Sequence, residues 1–169
     1  LLGLELIQSL SDGLDEIAAD ANIKTLVLTG DGERSFSAGV DLLEMRDLTP
    51  QSAEEFIRTL HRAIRKVLTL RMPVVAAING AAAGVGLALA CFADLRFAAE
   101  QARMTTAHGR LGLPAEYGLS WMLPRLIGVT RAADLLLSSR IFSGEEAAAM
   151  GLVNEALPLA DLGRRVQEY

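Results

Sequence analysis

Cysteine and histidine are scarce in this sequence, and each scarcity argues against a class of site. The single cysteine, Cys91, cannot form an intrachain disulfide, and its position inside an apolar run predicts a buried structural thiol. The two histidines, His61 and His108, have no cluster of ligand side chains at metal-binding spacing, so we expect no metal site. The net charge of −5 argues against general nucleic-acid binding.

Long hydrophobic runs are also absent. Every apolar run is short or interrupted by charge, so the sequence predicts neither a signal peptide nor a membrane span, and we expect no membrane partner. The same features predict a cytoplasmic protein. A length of 169 residues fits one domain with a substantial core, and no linker-like segment divides residues 1–169.

Helical and extended patterns alternate along the chain, which predicts an α/β fold with a sheet covered by helices. We expect Trp121 to pack in the core. A loop-rich section is expected over residues 103–117. The predicted helices cover residues 4–19, 52–70, 85–92, 119–127, 131–138 and 144–150, and the predicted strands cover residues 24–29, 74–78, 95–98 and 152–156.

The most informative segment joins the predicted strand 74–78 to the predicted helix 85–92 through small residues. No side chain there can perform acid–base chemistry, but backbone N–H groups are free at a helix start, where the helix dipole is positive. Gly84 and Gly86 allow a ligand to approach the main chain closely. These properties suit an oxyanion hole, which stabilises negative charge developing on an oxygen.

A second junction of this kind lies upstream. The predicted strand 24–29 is followed by a turn and then by residues 36–42, Phe-Ser-Ala-Gly-Val-Asp-Leu. Asp41 is suited to cap a short helix there. Two strand-to-loop junctions with exposed backbone donors could converge on a single carbonyl oxygen.

Five segments, in order, resemble the crotonase superfamily, also called the enoyl-CoA hydratase/isomerase family. They are residues 36–42, 73–86 (PVVAAINGAAAGVG), 93–96 (ADLR), 123–128 (LPRLIG) and 147–154 (AAAMGLVN). The resemblance implies a crotonase-like spiral of repeated β-β-α units, with helices packed around the sheet. It also implies a homotrimer or a dimer of trimers. Residues 1–169 correspond to the central core of the family, and the family's N-terminal strands and C-terminal helical region are expected to be missing from them.

The resemblance assigns the oxyanion hole to the backbone N–H groups of Val40 and Val85, which would bind the thioester carbonyl of an acyl-CoA. Coenzyme A is then part of the substrate, and no separate cofactor is expected. The residues expected to contact the substrate are Ala38, Gly39, Asp41, Gly84, Gly86 and His61, the last because its helix lines the acyl pocket in relatives.

The acid–base residues differ from those of a standard hydratase. The two glutamates of that enzyme correspond to Ala88 and His108 here, although a histidine can still exchange protons near neutral pH. Glu116 lies where several isomerases of the family place their single catalytic carboxylate. We therefore expect Glu116 and His108 to be catalytic.

Three functions are compatible with these residues. Double-bond isomerisation is favoured, because one carboxylate can remove a proton from the carbon α to the thioester and return it at the γ carbon. Hydration of a 2-enoyl-CoA by Glu116, with or without His108, is the first alternative. The second is an acyl-CoA-binding relative without catalysis, which the alanine at position 88 would suit.

Overall fold

The computed structural model describes all of residues 1–169. The helices are α1 (Leu4–Ala19), α2 (Leu42–Arg46), α3 (Pro50–Thr69), α4 (Val85–Phe92), α5 (His108–Leu111), α6 (Leu119–Ile127), α7 (Val129–Ser138), α8 (Gly144–Met150) and α9 (Leu159–Val166). The strands are β1 (Leu26–Thr29), β2 (Ser35–Ser37), β3 (Val74–Ile78), β4 (Ala81–Ala83), β5 (Leu95–Ala99), β6 (Met104–Thr105) and β7 (Glu155–Leu157).

The strands form two parallel sheets, and consecutive strands alternate between them. The larger sheet has the order β1-β3-β5-β7, and the smaller has the order β2-β4-β6. After each of the first three pairs of strands, the chain passes through one or more helices before it returns to the larger sheet. This is the predicted spiral of β-β-α units, and the fold prediction is confirmed.

The larger sheet is buried on both faces at β3, which explains the uninterrupted apolar run there. Successive side chains of a strand point to opposite faces. Val74, Ala76 and Ile78 accordingly join the main core with α3 and α4. Val75 and Ala77 join a smaller cluster that includes Leu162 and Val166 of α9 on the other face.

The asparagine of the Asn-Gly sequence after β3 connects the two strand-to-loop junctions. Asn79 accepts a hydrogen bond from the N–H of Gly30 at 3.0 Å. Its amide group donates to the carbonyl oxygens of Gly30 and Gly32 at 3.1 and 2.7 Å. Asn79 is 6% exposed. Its three hydrogen bonds hold the loop after β1 against the end of β3.

Two further motif segments are also structural. Asp94 accepts the N–H of Val74 at 2.8 Å, and Asn154 accepts the N–H of Arg96 at 2.8 Å, so each side chain joins neighbouring parts of the larger sheet. The buried guanidinium of Arg96 donates to the carbonyl oxygen of Leu152 at 2.8 Å. Burial lowers the pKa of Arg96.

Most of the predicted helices and strands agree closely with the structure, and the differences are mainly in the shortest elements. The predicted strand 152–156 begins later, at Glu155. Helix α5 lies inside the predicted loop, while α9 and the three strands of the smaller sheet were not predicted. These strands have two or three residues each, which is too few to show a periodicity.

The expectation for Trp121 is wrong, because its side chain is 55% exposed. The guanidinium carbon of Arg125 lies 3.9 Å from the centre of a Trp121 ring, and this cation–π contact covers part of the indole at the surface.

None of the helices combines the length and the hydrophobicity needed to cross a membrane.

Replacing Asn79 by Ala is expected to lower the free energy of unfolding by about 2 kcal/mol, because three hydrogen bonds are lost and partly buried backbone groups are left unpaired. Urea unfolding measures the change. Asn22→Ala on the exposed surface is the control and is expected to change stability by less than about 0.5 kcal/mol. Equal losses in the two variants would contradict the structural role of Asn79.

Candidate active site

A cavity of about 640 Å³ lies where the three strands of the smaller sheet end. Ala38 follows β2, Ala83 ends β4 and Thr105 ends β6, and all three residues line it. The carboxyl ends of parallel strands meet at one edge of a sheet, which is where open α/β proteins bind ligands. The remaining lining residues are Gly39, Val40, Leu42, Met45, Arg46, Ile57, Gly84, Val85, Thr106, Ala107, His108, Arg110, Leu111, Leu113, Glu116 and Tyr117.

The first loop at the cavity presents the Val40 amide. The N–H of Leu2 donates to the carbonyl oxygen of Gly39 at 2.8 Å, and the N–H of Asp41 donates to that of Leu2 at 3.3 Å. This parallel bridge uses the groups on either side of Val40 and does not use its N–H. The amide is therefore left available on a loop that is fixed at both ends.

The second loop presents the Val85 amide. Val85 is the first residue of α4, so its N–H has no carbonyl one turn earlier in the helix. Gly84, with φ of 52°, precedes it and donates its own N–H to the carbonyl oxygen of Thr105 at 3.1 Å. The positive end of the α4 dipole lies behind the Val85 amide.

The two loops touch each other. A Cβ atom built on Gly39, which has φ of 91°, would lie 3.0 Å from the carbonyl oxygen of Ala83 and 4.0 Å from the nitrogen of Val85. A Cβ atom on Gly86 would overlap the carbonyl oxygen of Ser37. Only glycines permit this approach, which brings the Val40 and Val85 segments to one side of the cavity.

Glu116, His108 and Tyr117 bring a carboxyl group, an imidazole and a phenol to the cavity. Glu116 and Tyr117 are half-buried in the loop before α6, and His108 begins α5 and is 4% exposed. The rings of His108 and Tyr117 have their centres 6.4 Å apart. A carboxylate and an imidazole therefore line the same cavity as the two backbone amides.

Burial shifts the pKa values of the two ring side chains in opposite directions. It lowers the pKa of His108, an effect that the Glu116 carboxylate opposes. The Nδ1 atom of His108 is buried and has no hydrogen-bond partner, which also favours a neutral ring. Burial, together with the Glu116 carboxylate, raises the pKa of Tyr117 to about 12, so its phenol stays protonated at neutral pH.

Three of the predicted site residues do not line the cavity. The Asp41 carboxylate caps α2 by accepting the N–H of Leu43 at 2.9 Å. Gly86 lies under the second loop, where its contact is with Ser37. His61 is exposed on α3, and its ring centre lies 6.3 Å from that of Tyr117. The other predicted residues, Ala38, Gly39, Val40, Gly84, Val85, His108 and Glu116, line it together.

Sequence reasoning missed several cavity residues. Arg110, Thr105 and Thr106 lie in the section predicted as a loop, where no periodicity indicated which side chains face inward. Tyr117 ends the same section, and a tyrosine directly before Gly118 is the one signal in the sequence that could have drawn attention to it. Residue 88 is an alanine that is fully buried in α4. It provides no carboxylate to the cavity.

Comparison with known proteins identifies the family. The family model described as enoyl-CoA hydratase/isomerase matches residues 2–168. The chain belongs to the enoyl-CoA hydratase/isomerase family. The resemblance seen in the five sequence segments is thereby confirmed over nearly the whole chain.

Relatives within the family carry hydratase names. A putative enoyl-CoA hydratase of Thermus thermophilus is 41% identical over 162 residues, which cover 93% of this chain and 62% of the relative. The human mitochondrial methylglutaconyl-CoA hydratase is 33% identical over 156 residues, which cover 92% of this chain and 46% of the relative.

Solved structures of the family have the same fold. The crystal structure of an enoyl-CoA hydratase from Bacillus anthracis matches with a TM-score of 0.95 at 36% identity, covering 99% of this chain and 65% of that chain. The chain thus spans about half to two thirds of the length of these relatives.

Gly39→Ala is expected to be more destabilising than Gly32→Ala. Both glycines have positive φ, so each alanine incurs a backbone cost of about 1–2 kcal/mol. Only the Cβ atom at position 39 meets another loop, since nothing lies within 4 Å of a Cβ atom at position 32. Overpacking against the Ala83 carbonyl adds about 1 kcal/mol or more, measurable by urea unfolding. Equal effects would show that the two loops do not constrain each other.

The free energy of unfolding is expected to decrease as the pH falls below about 6.5, the ordinary pKa of histidine. The pKa of His108 is lower in the folded state, so between the two values the unfolded chain binds the extra proton and the native state loses stability. One such group contributes at most about 1.4 kcal/mol per pH unit. Urea unfolding at pH 5.5 to 7.5 should show a smaller slope for His108→Gln. A wild-type slope in His108→Gln, or the same reduction in the exposed His61→Gln control, would contradict this assignment.

Proposed function

We propose that the protein is an acyl-CoA-processing enzyme in which the Val40 and Val85 amides bind the thioester carbonyl oxygen and Glu116 transfers a proton. The observation that supports this most directly is that both unpaired amides and the carboxylate line one cavity. Coenzyme A enters as part of the substrate. By the family resemblance, we also expect the protein to assemble as a homotrimer or a dimer of trimers.

The backbone amides account for the stability of the intermediate. Removing a proton α to the thioester moves negative charge onto the carbonyl oxygen, where two fixed donors bind it more strongly than they bind the neutral carbonyl. Each such donor contributes about 3–4 kcal/mol to the stabilisation of the transition state. Because the donors belong to the main chain, valine side chains at positions 40 and 85 are compatible with this role.

Double-bond isomerisation is the reaction that these side chains favour. Glu116 removes a proton from the α carbon of a 3-enoyl thioester, the resulting dienolate is held by the amides, and the same carboxyl group returns the proton at the γ carbon. One carboxylate is sufficient for both steps. The buried Ala88 leaves the cavity without the first glutamate of a standard hydratase.

Hydration of a 2-enoyl-CoA is the second candidate, and the hydratase names of the relatives favour it. Addition of water needs one group to activate the water and a proton at the α carbon. In this cavity, Glu116 would serve as the acid–base group and neutral His108 as its partner. Product analysis distinguishes the two reactions.

Glu116→Gln is expected to lower kcat by at least about a hundredfold, because the amide cannot exchange a proton with the substrate. The purified protein is assayed with a 3-enoyl-CoA and, separately, with a 2-enoyl-CoA, and the products are identified by chromatography and mass. Butyryl-CoA affinity is expected to remain within about threefold of wild type. Glu55→Gln, on the exposed side of α3, is the matched control and is expected to retain activity.

The products decide among the three functions. Conversion of the 3-enoyl to the 2-enoyl compound that depends on Glu116 supports isomerisation. A gain of water by the 2-enoyl compound supports hydration. Binding of butyryl-CoA without turnover of either substrate, or full activity in Glu116→Gln, would refute the proposed mechanism.

A further inference from the structure

The turn before α6 places a tyrosine in a backbone conformation that is unfavourable for large side chains. The N–H of Leu119 donates to the carbonyl oxygen of Glu116 at 3.1 Å, which closes a four-residue turn around Tyr117 and Gly118. Both central residues have positive φ, 52° and 75° respectively. Turns of this kind are dominated by Gly, Asn and Asp, because larger side chains crowd the backbone there. A tyrosine at this position is therefore strained.

Steric packing explains only the second central residue. A Cβ atom on Gly118 would lie 2.9 Å from the ring of Phe92, so glycine is needed there. Neither the geometry of the turn nor its packing against Phe92 explains why a tyrosine occupies position 117. Strained residues of this type persist where the surrounding structure requires them and cluster at functional sites.

The Tyr117 side chain lines the cavity and also lies close to an exposed residue of α3. Its centre is 6.4 Å from the ring centre of His108, which lines the cavity, and 6.3 Å from that of His61, which is exposed. Ile57, one turn before His61 on α3, also lines the cavity. The half-buried phenol is thus close to one ring of α3 and one ring of α5.

We propose that Tyr117 forms the end wall of the acyl site and restricts the substrate to short acyl groups. This inference rests on the proposed function, in which Glu116 acts on the carbon atoms next to the thioester. Because the Tyr117 ring lines the same cavity as Glu116, we expect the acyl carbons beyond the reacting ones to contact this ring. Removing the ring opens the cavity toward His61 and provides space for a longer chain.

The test measures the binding of butyryl-CoA and decanoyl-CoA, two saturated thioesters without a double bond to react, by calorimetry. Tyr117→Asn removes the ring and suits the left-handed backbone. It is expected to bind decanoyl-CoA at least about tenfold more tightly than wild type does, a gain that burial of about two further methylene groups supplies. Its affinity for butyryl-CoA is expected to change little. Tyr117→Gly is a second truncation that suits the same backbone.

Two controls separate the ring from other effects. Tyr117→Phe keeps the ring and is expected to show the wild-type ratio of the two affinities. Trp121→Ala removes an aromatic ring outside the cavity and should also leave the ratio unchanged. Wild-type ratios in both Tyr117→Asn and Tyr117→Gly would overturn the inference, as would a Tyr117→Phe variant that behaves like Tyr117→Asn. A wild-type protein that binds neither thioester would instead overturn the proposed function, and this inference with it.

Discussion

Parallel pairing of three very short strands is the constraint on which the candidate site depends. Ser35 of β2 pairs with Ala81 of β4, and Ala83 of β4 pairs with Thr105 of β6. Because all three strands run in the same direction, the loops that follow them leave the sheet at one edge. The Val40 amide, the Val85 amide and the section that carries His108 therefore meet there.

Small residues make this convergence possible, and the polar residues of the motifs keep it in place. The backbone of the first loop passes so close to the second that Gly86 has no room for a side chain, and a Cβ atom on Gly39 would press against the Ala83 carbonyl oxygen. Asn79 holds the loop after β1, and Asp94 and Asn154 join neighbouring parts of the larger sheet. The segments that identify the family thus consist of loops that face the cavity and of side chains that fix the strands beside it.

The segments that carry the titratable side chains of the cavity differ from the two amide loops. Glu116 and Tyr117 reach it from a strained turn, and His108 begins a helix of four residues after the left-handed Ala107. Irregular backbone positions this carboxylate and imidazole, while the Val40 and Val85 amides lie just after the short strands β2 and β4. Loops of this kind vary readily on a constant scaffold. The side chains that these loops bring to the cavity can therefore change without a change of fold.

The sequence by itself determined the long elements, the family and the two backbone-donor loops, because these depend on local periodicity, on glycine spacing and on contiguous motifs. Helix 4–19 and strand 74–78 were predicted at their observed bounds. The tertiary structure alone decided which residues share the cavity. Asp41, Gly86 and His61, which the family resemblance had placed at the substrate, do not line it, whereas Arg110 and Tyr117 do. The physical reason is that the short strands and turns obtain their conformation from neighbours distant in sequence, and two or three residues carry too little local preference to reveal it.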